Sequence, residues 1–221
     1  MTIEVGRPLK EPMISRLIPC GPEMLQEYCM EMIDGIKDWA IDHGWSYTYH
    51  DRMRWWGGCY DCHDQIQFVI EELKRNPNSR RAVIDVRNND EDMYSDDPAC
   101  LQHIQYFIRS TPKYPDGQLD CKVLFRSNDA VKATYMNMYA LIRLQEVIAT
   151  ELGVHVGTYV HRANSFHAYE KDWPLLESYA EAVFHRGKTR PLYYDYKGDW
   201  EEQMNAAVPE ILKKVEAMKH G

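Results

Sequence analysis

The sequence predicts an α/β (α+β) fold, a mixed β-sheet flanked by helices. Three observations lead there: apolar residues recur at helical spacing in five segments, other segments alternate or are β-branched, and turn residues separate two of them. In chain order, Met24, Tyr28, Met32, Ile36 and Trp39 step by three or four behind Pro22, predicting an amphipathic helix over 23–43. Ile66, Val69, Ile70 and Leu73 repeat the pattern between Asp64 and Asn76-Pro77, a second helix. Residues 82–86 are short and β-branched, Ile104, Tyr106 and Ile108 alternate with polar neighbours, and so do Leu119, Cys121, Val123 and Phe125. These read as three strands. Pro115-Asp116-Gly117 predicts that the last two pair as an antiparallel hairpin. Met138, Leu141, Leu144, Ile148 and Leu152 line one face of a long helix that Gly153 ends. A further strand at Tyr159 and Val160 and helices over 175–184 and 208–218 complete the expectation.

The 221 residues, 44% hydrophobic and 12% aromatic, supply one sizeable core, so residues 1–221 read as a single domain. No linker or repeat interrupts them. Lys and Arg total 26 against 34 Asp and Glu, a formal charge of −8, which disfavours nucleic acid and acidic membrane surfaces as partners. No apolar run approaches the roughly 18 residues that span a bilayer, and the first ten residues lack the apolar core of a signal peptide, so a cytoplasmic location is expected. The six cysteines, at 20, 29, 59, 62, 100 and 121, are too irregular for a disulfide framework.

Cys100 follows Pro98-Ala99 at a loop-to-strand junction, where an adjacent guanidinium would favour the nucleophilic thiolate. A buried inert cysteine is the commoner use of such a position. Arg126-Ser127 and Arg80-Arg81 stand at strand ends, and guanidinium forks beside a hydroxyl suit phosphate oxygens. In a protein of charge −8 they form a candidate anion cradle; solvated surface arginines are the alternative. Asn137, inside an apolar helix pattern, is either satisfied by backbone or reads a ligand edge carrying one donor beside one acceptor, as uracil does at N3–H and O4. His167 and Tyr169, two apart, would share one side of a strand and reach one hydroxyl. Cys59-Tyr60-Asp61-Cys62-His63 has the spacing of haem attachment, and CxxC also suits zinc or redox work, but no second CxxC follows and no metal is expected. Trp55, Trp56 and Tyr60 around it read as core or cleft lining.

These residues together resemble thymidylate synthase. Arg126-Ser127-Asn128-Asp129 matches the family's R-S-x-D, Asn137 stands eight residues after Asp129, and His161, His167 and Tyr169 match its H-x-x-x-x-x-H-x-Y. Upstream, Arg80-Arg81 and Pro98-Ala99-Cys100 match the family's Arg pair and nucleophile, with Asp64-Gln65-Ile66 and Asn76-Pro77 on the intervening helix. The resemblance spans roughly 36–173 and is closest to the short archaeal type. It implies a homodimer through the sheet that methylates dUMP to dTMP, with 5,10-methylenetetrahydrofolate or a related methylene-pterin as co-substrate. It makes Cys100 the nucleophile at C6, Arg126 a phosphate ligand that favours the thiolate, and Ser127 a second phosphate contact. Arg80 and Arg81 would reach the neighbouring subunit's phosphate. Asn137 would select uracil, His167 and Tyr169 would hold the 3′-hydroxyl, Asp129 would lie beside pyrimidine and pterin, and Trp55 and Trp56 would flank the co-substrate.

The departures are as specific. The family's D-E-W-A glutamate, tied to water and proton transfer, appears as Asp38 in Lys37-Asp38-Trp39-Ala40. Leu101 follows the nucleophile where His is common, Arg7 or Arg16 stands in for an N-terminal phosphate-clamping arginine, and residues 217–221 do not match the family's apolar closing tail. A less tightly closed site admits water, so the alternative products of the same adduct chemistry are a 5-hydroxymethyl pyrimidine nucleotide or, in a catalytically silent homologue, none.

Overall fold

The computed structural model describes residues 1–56, 63–186 and 192–220. Its elements in chain order are β1 (Thr2–Val5), β2 (Ile14–Ser15), α1 (Pro22–Asp34), α2 (Tyr49–Arg54), α3 (Gln65–Arg75), β3 (Val83–Asp85), α4 (Asn89–Asp92), β4 (Leu101–Arg109), β5 (Gln118–Asp129), α5 (Ala133–Leu152), β6 (His155–His167), α6 (Trp173–Glu181), β7 (Tyr193–Tyr194) and α7 (Glu201–Lys219).

Five strands form one mixed sheet in the order β1-β6-β5-β4-β3. β4 and β5 are the expected antiparallel hairpin, while β5 and β6 run parallel because α5 crosses between them. Leu119, Cys121, Val123 and Phe125 of β5 are buried on one face, and Leu141, Leu144 and Ile148 of α5, Ile66 and Leu73 of α3, and Leu25 and Met32 of α1 belong to the same core. Gln145, wholly buried on α5, donates to the carbonyl of Leu119 at 2.7 Å and so ties the helix to the middle of the sheet. A smaller cluster of Met30, Ile211 and Val215 seats α7 on α1.

Several expectations needed correction. The apolar stripe from Met24 to Trp39 is not one helix. Gly35, at φ 67, ends α1, and a 3-10 turn over Asp38–His43 follows. A Cβ at Gly35 would sit 2.3 Å from His50 Nδ1 and 2.6 Å from Asp38 Oδ2, so only glycine fits both that backbone and that space. Gly153, also at positive φ, stops α5 as read. β6 is a thirteen-residue strand rather than the pair Tyr159 and Val160, because Gly157, Asn164 and Ser165 break its alternation. α7 begins at Glu201 and accommodates Pro209, an exposed position, while Met204, Ile211 and Val215 bury its other face. β1, β2 and β7 carry no sequence signal of their own and exist by pairing with distant strands. No helix among the described residues is long and apolar enough to cross a membrane.

Candidate active site

Cys100 occupies the turn into β4, directly beside β5. The backbone N–H of Arg126 donates to the carbonyl of Cys100 at 2.9 Å. The Arg126 side chain then folds back over the same turn, with Nε donating to the carbonyl of Ala99 at 3.1 Å and Nη2 to that of Pro98 at 2.6 Å. This guanidinium therefore holds residues 98–100 in place and keeps its Nη1 edge free of acceptors among the described residues. Its charge lies close enough to the thiol to favour the thiolate, but the balance is the reverse of the sequence expectation. Burial pushes the Cys100 thiol up, Arg126 offsets only part of that, and Asp97 adds to the rise.

Tyrosines surround the thiol. Tyr47 and Tyr49 come from the segment entering α2, Tyr28 from α1, and each is close enough to Cys100 for their ionisations to be coupled. Tyr49 oxygen accepts from the Leu101 N–H at 3.3 Å, fixing the strand start against α2. Tyr28, Glu31, Trp45, Ser46, Tyr47, Thr48, Tyr49 and Asp97 line a cleft of about 510 Å³. Tyr28, Glu31, Trp45, Tyr47 and Tyr49 were missed from sequence because they scatter over a helix and an irregular loop with no spacing to link them. Asn137, 5% exposed on α5, is reached from this wall: the Tyr28 hydroxyl donates to its Oδ1 at 2.5 Å.

Other predicted residues fall elsewhere. Asp38 is outside the cleft lining: one carboxylate oxygen accepts from Thr48 Oγ1 at 2.5 Å and the other pairs with His50 Nδ1 at 2.5 Å, so it organises the loop beneath. Glu31 is the glutamate that faces the cleft, shared with Lys37 at 2.8 Å. Trp55 is exposed, and Trp56 lines two other depressions, one with Asp85, Arg87 and His103 and one with His63 and Phe68, rather than the tyrosine cleft. Cys59 and Cys62 lie outside the described residues; His63 is exposed and pairs its backbone with Trp56. Among the described residues no group of three His, Cys, Asp or Glu could hold a metal.

At the C-terminal end of β5, three residues past Arg126, Asp129 stands opposite His167 on β6, and Ser127 opposite Ser165. Asp129 Oδ1 accepts from the Val131 N–H at 2.8 Å, which shapes the turn into α5 and leaves Oδ2 without a hydrogen bond among the described residues. The His167 and Tyr169 rings meet edge-on with centroids 5.0 Å apart, the adjacency expected of them, although Tyr169 lies just past the strand and is 52% exposed. His161, by contrast, is sealed in the core at 1% exposure, its ring between Tyr159 hydroxyl and Asn128 Oδ1. Arg80 is exposed, with no ion-pair partner among the described residues. Arg81 docks the Nε/Nη2 edge on buried Glu72, whose carboxylate also takes Arg75 and Ser79, and its side chain stays 69% exposed with Nη1 free. Arg16 is engaged at the surface, stacking 4.1 Å over Tyr194.

A family model described as thymidylate synthase matches residues 23–190. The chain belongs to the thymidylate synthase family. Among its relatives, a Methanocaldococcus jannaschii protein named "Putative thymidylate synthase" is 35% identical over 185 residues, 80% of this chain and 77% of that one. Proteins of the same name from Methanosarcina barkeri and Methanosarcina mazei are 34% and 33% identical, each over 73% of this chain and 68% of their own. In thymidylate synthase terms, the fold brings Cys100 and Arg126 into direct register and sets Asn137 behind the cleft wall, while Arg80 and Arg81 are exposed just before the edge strand β3 and line no part of that cleft.

Proposed function

We propose that this chain is a cytoplasmic, single-domain enzyme that transfers a one-carbon unit to C5 of dUMP through a covalent adduct at Cys100, giving dTMP. The observation that carries the reading is the Cys100–Arg126 unit: a half-buried thiol on a turn that one guanidinium clamps, next to Tyr28, Tyr47 and Tyr49 of the cleft wall. The phosphate of dUMP would bring negative charge to the free Nη1 edge of Arg126 and the Ser127 hydroxyl, with Arg80 and Arg81 reaching the corresponding phosphate of a second copy. The free cysteines Cys20, Cys29, Cys100 and Cys121 suit a reducing compartment.

In this reading Cys100 Sγ adds as thiolate to C6 of the pyrimidine, and the electron pair of the C5–C6 double bond moves through C5 towards O4. Asn137 Nδ2 would donate to O4 as its charge grows. C5 bonds to the one-carbon unit and then loses its proton to a base on the cleft side, where the Glu31 carboxylate stands among the protonated phenols of Tyr47 and Tyr49. Proton loss breaks the bond between that carbon and its carrier nitrogen, which takes the electron pair, leaving an exocyclic methylene on C5; Sγ leaves and the C5–C6 double bond returns when hydride adds to that methylene. The co-substrate, a methylene-pterin, supplies the carbon and the hydride that turns methylene into methyl. The residues fit such a group: the unbonded Oδ2 of Asp129 can accept from a pterin's donor edge, and Trp45 offers an aromatic face on the cleft, a role the sequence reading gave to Trp55 and Trp56.

One observation favours a second product. Glu31, Ser46, Thr48 and Asp97 place four polar side chains on the cleft wall, and water retained by them would attack the exocyclic methylene to give 5-hydroxymethyl-dUMP. Tritium release from [5-³H]dUMP with methylenetetrahydrofolate, followed by product mass, tests both. Release that vanishes in Cys100→Ala, with a covalent 5-fluoro-dUMP adduct only in the native protein, is expected. Binding of dUMP with no release and no adduct would identify a silent homologue instead.

A further inference from the structure

Asn137 can serve either pyrimidine in principle, because a carboxamide turned by 180° exchanges its acceptor and donor ends. Uracil presents a donor at N3–H beside an acceptor at O4; cytosine presents an acceptor at N3 beside a donor at N4. Which base the side chain reads thus depends on what holds its orientation.

Tyr28 provides that hold. Its hydroxyl lies 2.5 Å from Asn137 Oδ1, the one hydrogen-bond partner either side chain has among the described residues. Nδ2 has no protein acceptor, yet it is absent from the sealed, unpaired polar atoms of the interior, so it opens towards solvent space. α1 and α5 pack together and carry the two residues, and Tyr28 itself lines the cleft beside Cys100. Burial keeps the phenol protonated far above any working pH, so the hydroxyl always has a proton to place. Turning the amide over would take away the only acceptor of that proton.

We propose that Tyr28 is the positioning residue for pyrimidine choice: by donating to Asn137 Oδ1 it fixes the carboxamide with Nδ2 free for O4 and the second Oδ1 lone pair for N3–H, selecting uracil over cytosine. The inference rests on the nucleotide reading of the preceding subsection, and it assigns the orientation of Asn137 to a tyrosine on a different helix.

Calorimetric dissociation constants for dUMP and dCMP test it in the native protein, Tyr28→Phe, Asn137→Ala and the double variant. Phenylalanine keeps the ring and its packing, and equal melting temperatures check that. The preference for dUMP is expected to fall about tenfold in Tyr28→Phe, the size of one lost hydrogen bond at a buried group, and to show no further change when Tyr28→Phe is added to Asn137→Ala. An unchanged preference in Tyr28→Phe, or an equal weakening of both nucleotides, overturns the role of Tyr28 while leaving the nucleotide reading intact. If the native protein binds neither nucleotide, the nucleotide reading falls and the inference with it.

Discussion

At the scale of single residues, the chemistry turns on how much of Arg126's charge reaches Sγ of Cys100. The guanidinium spends two N–H groups on the carbonyls of Pro98 and Ala99, and burial together with Asp97 outweighs what remains. Burial and Asp97 both favour the thiol over the thiolate at Cys100 in the unliganded chain. Iodoacetamide should alkylate Cys100 slowly at pH 7, with a rate that climbs with pH and has its midpoint above that of an ordinary cysteine. Asp97→Asn should move that midpoint down and Arg126→Gln should move it up, measured as the pH dependence of modification followed by mass spectrometry. An unchanged midpoint in both variants would mean that neither charge is felt at the sulfur. The identities of Cys100, Arg126 and Asn137 as candidates were legible from spacing along one chain segment. The sign of the thiol's shift was not, since burial depends on which phenols arrive from α1 and from the loop before α2.

Elements are held by polar ties across the sheet, and one of them has a pH signature. Thr134 Oγ1 at the start of α5 and His161 Nε2 on β6 both donate to Asn128 Oδ1 on β5, at 2.8 and 2.9 Å, while Tyr159 hydroxyl supplies His161 Nδ1. That arrangement requires neutral imidazole with its proton on Nε2. Desolvation pushes the His161 pKa down to about 4, below the ordinary 6.5. A histidine depressed in the folded state contributes fully above the unfolded value, and that contribution is lost as pH falls from about 6.5 towards 4. Urea unfolding should show a loss on the order of 2 kcal/mol between pH 7 and pH 5 that His161→Gln largely removes. Equal pH slopes in the two proteins would rule the tie out. As a motif member His161 looked like its neighbours His167 and Tyr169; its position six residues deeper along β6 makes it structural.

For the whole molecule, the open question is the uncovered face of the five-stranded sheet. Thr2, His103, Gln105, Lys122, Leu124, Val160 and Arg162 share a depression there, opposite the face packed on α5. The proposed homodimer would seat its second copy on this face, with Arg80 and the exposed Arg81 near the partner's site. Leu124→Asp, placing a charge amid the apolar part of that face, should convert a dimer to a monomer in sedimentation analysis and abolish tritium release while the melting transition persists. A monomeric native protein with full activity would refute the shared site.

Periodicity and turn chemistry alone determined most of the secondary structure, the hairpin of β4 and β5, and the ordered landmarks from Arg80 to Tyr169, because each depends on neighbours within a few residues along the chain. Only the tertiary structure decided that the apolar stripe after Met24 breaks at Gly35, that Asp38 supports a loop instead of facing the cleft, and that Tyr28 reaches Asn137 across 109 positions. Those outcomes depend on close approach between distant segments, where space and unpaired donors choose the partner and local pattern carries no information about it.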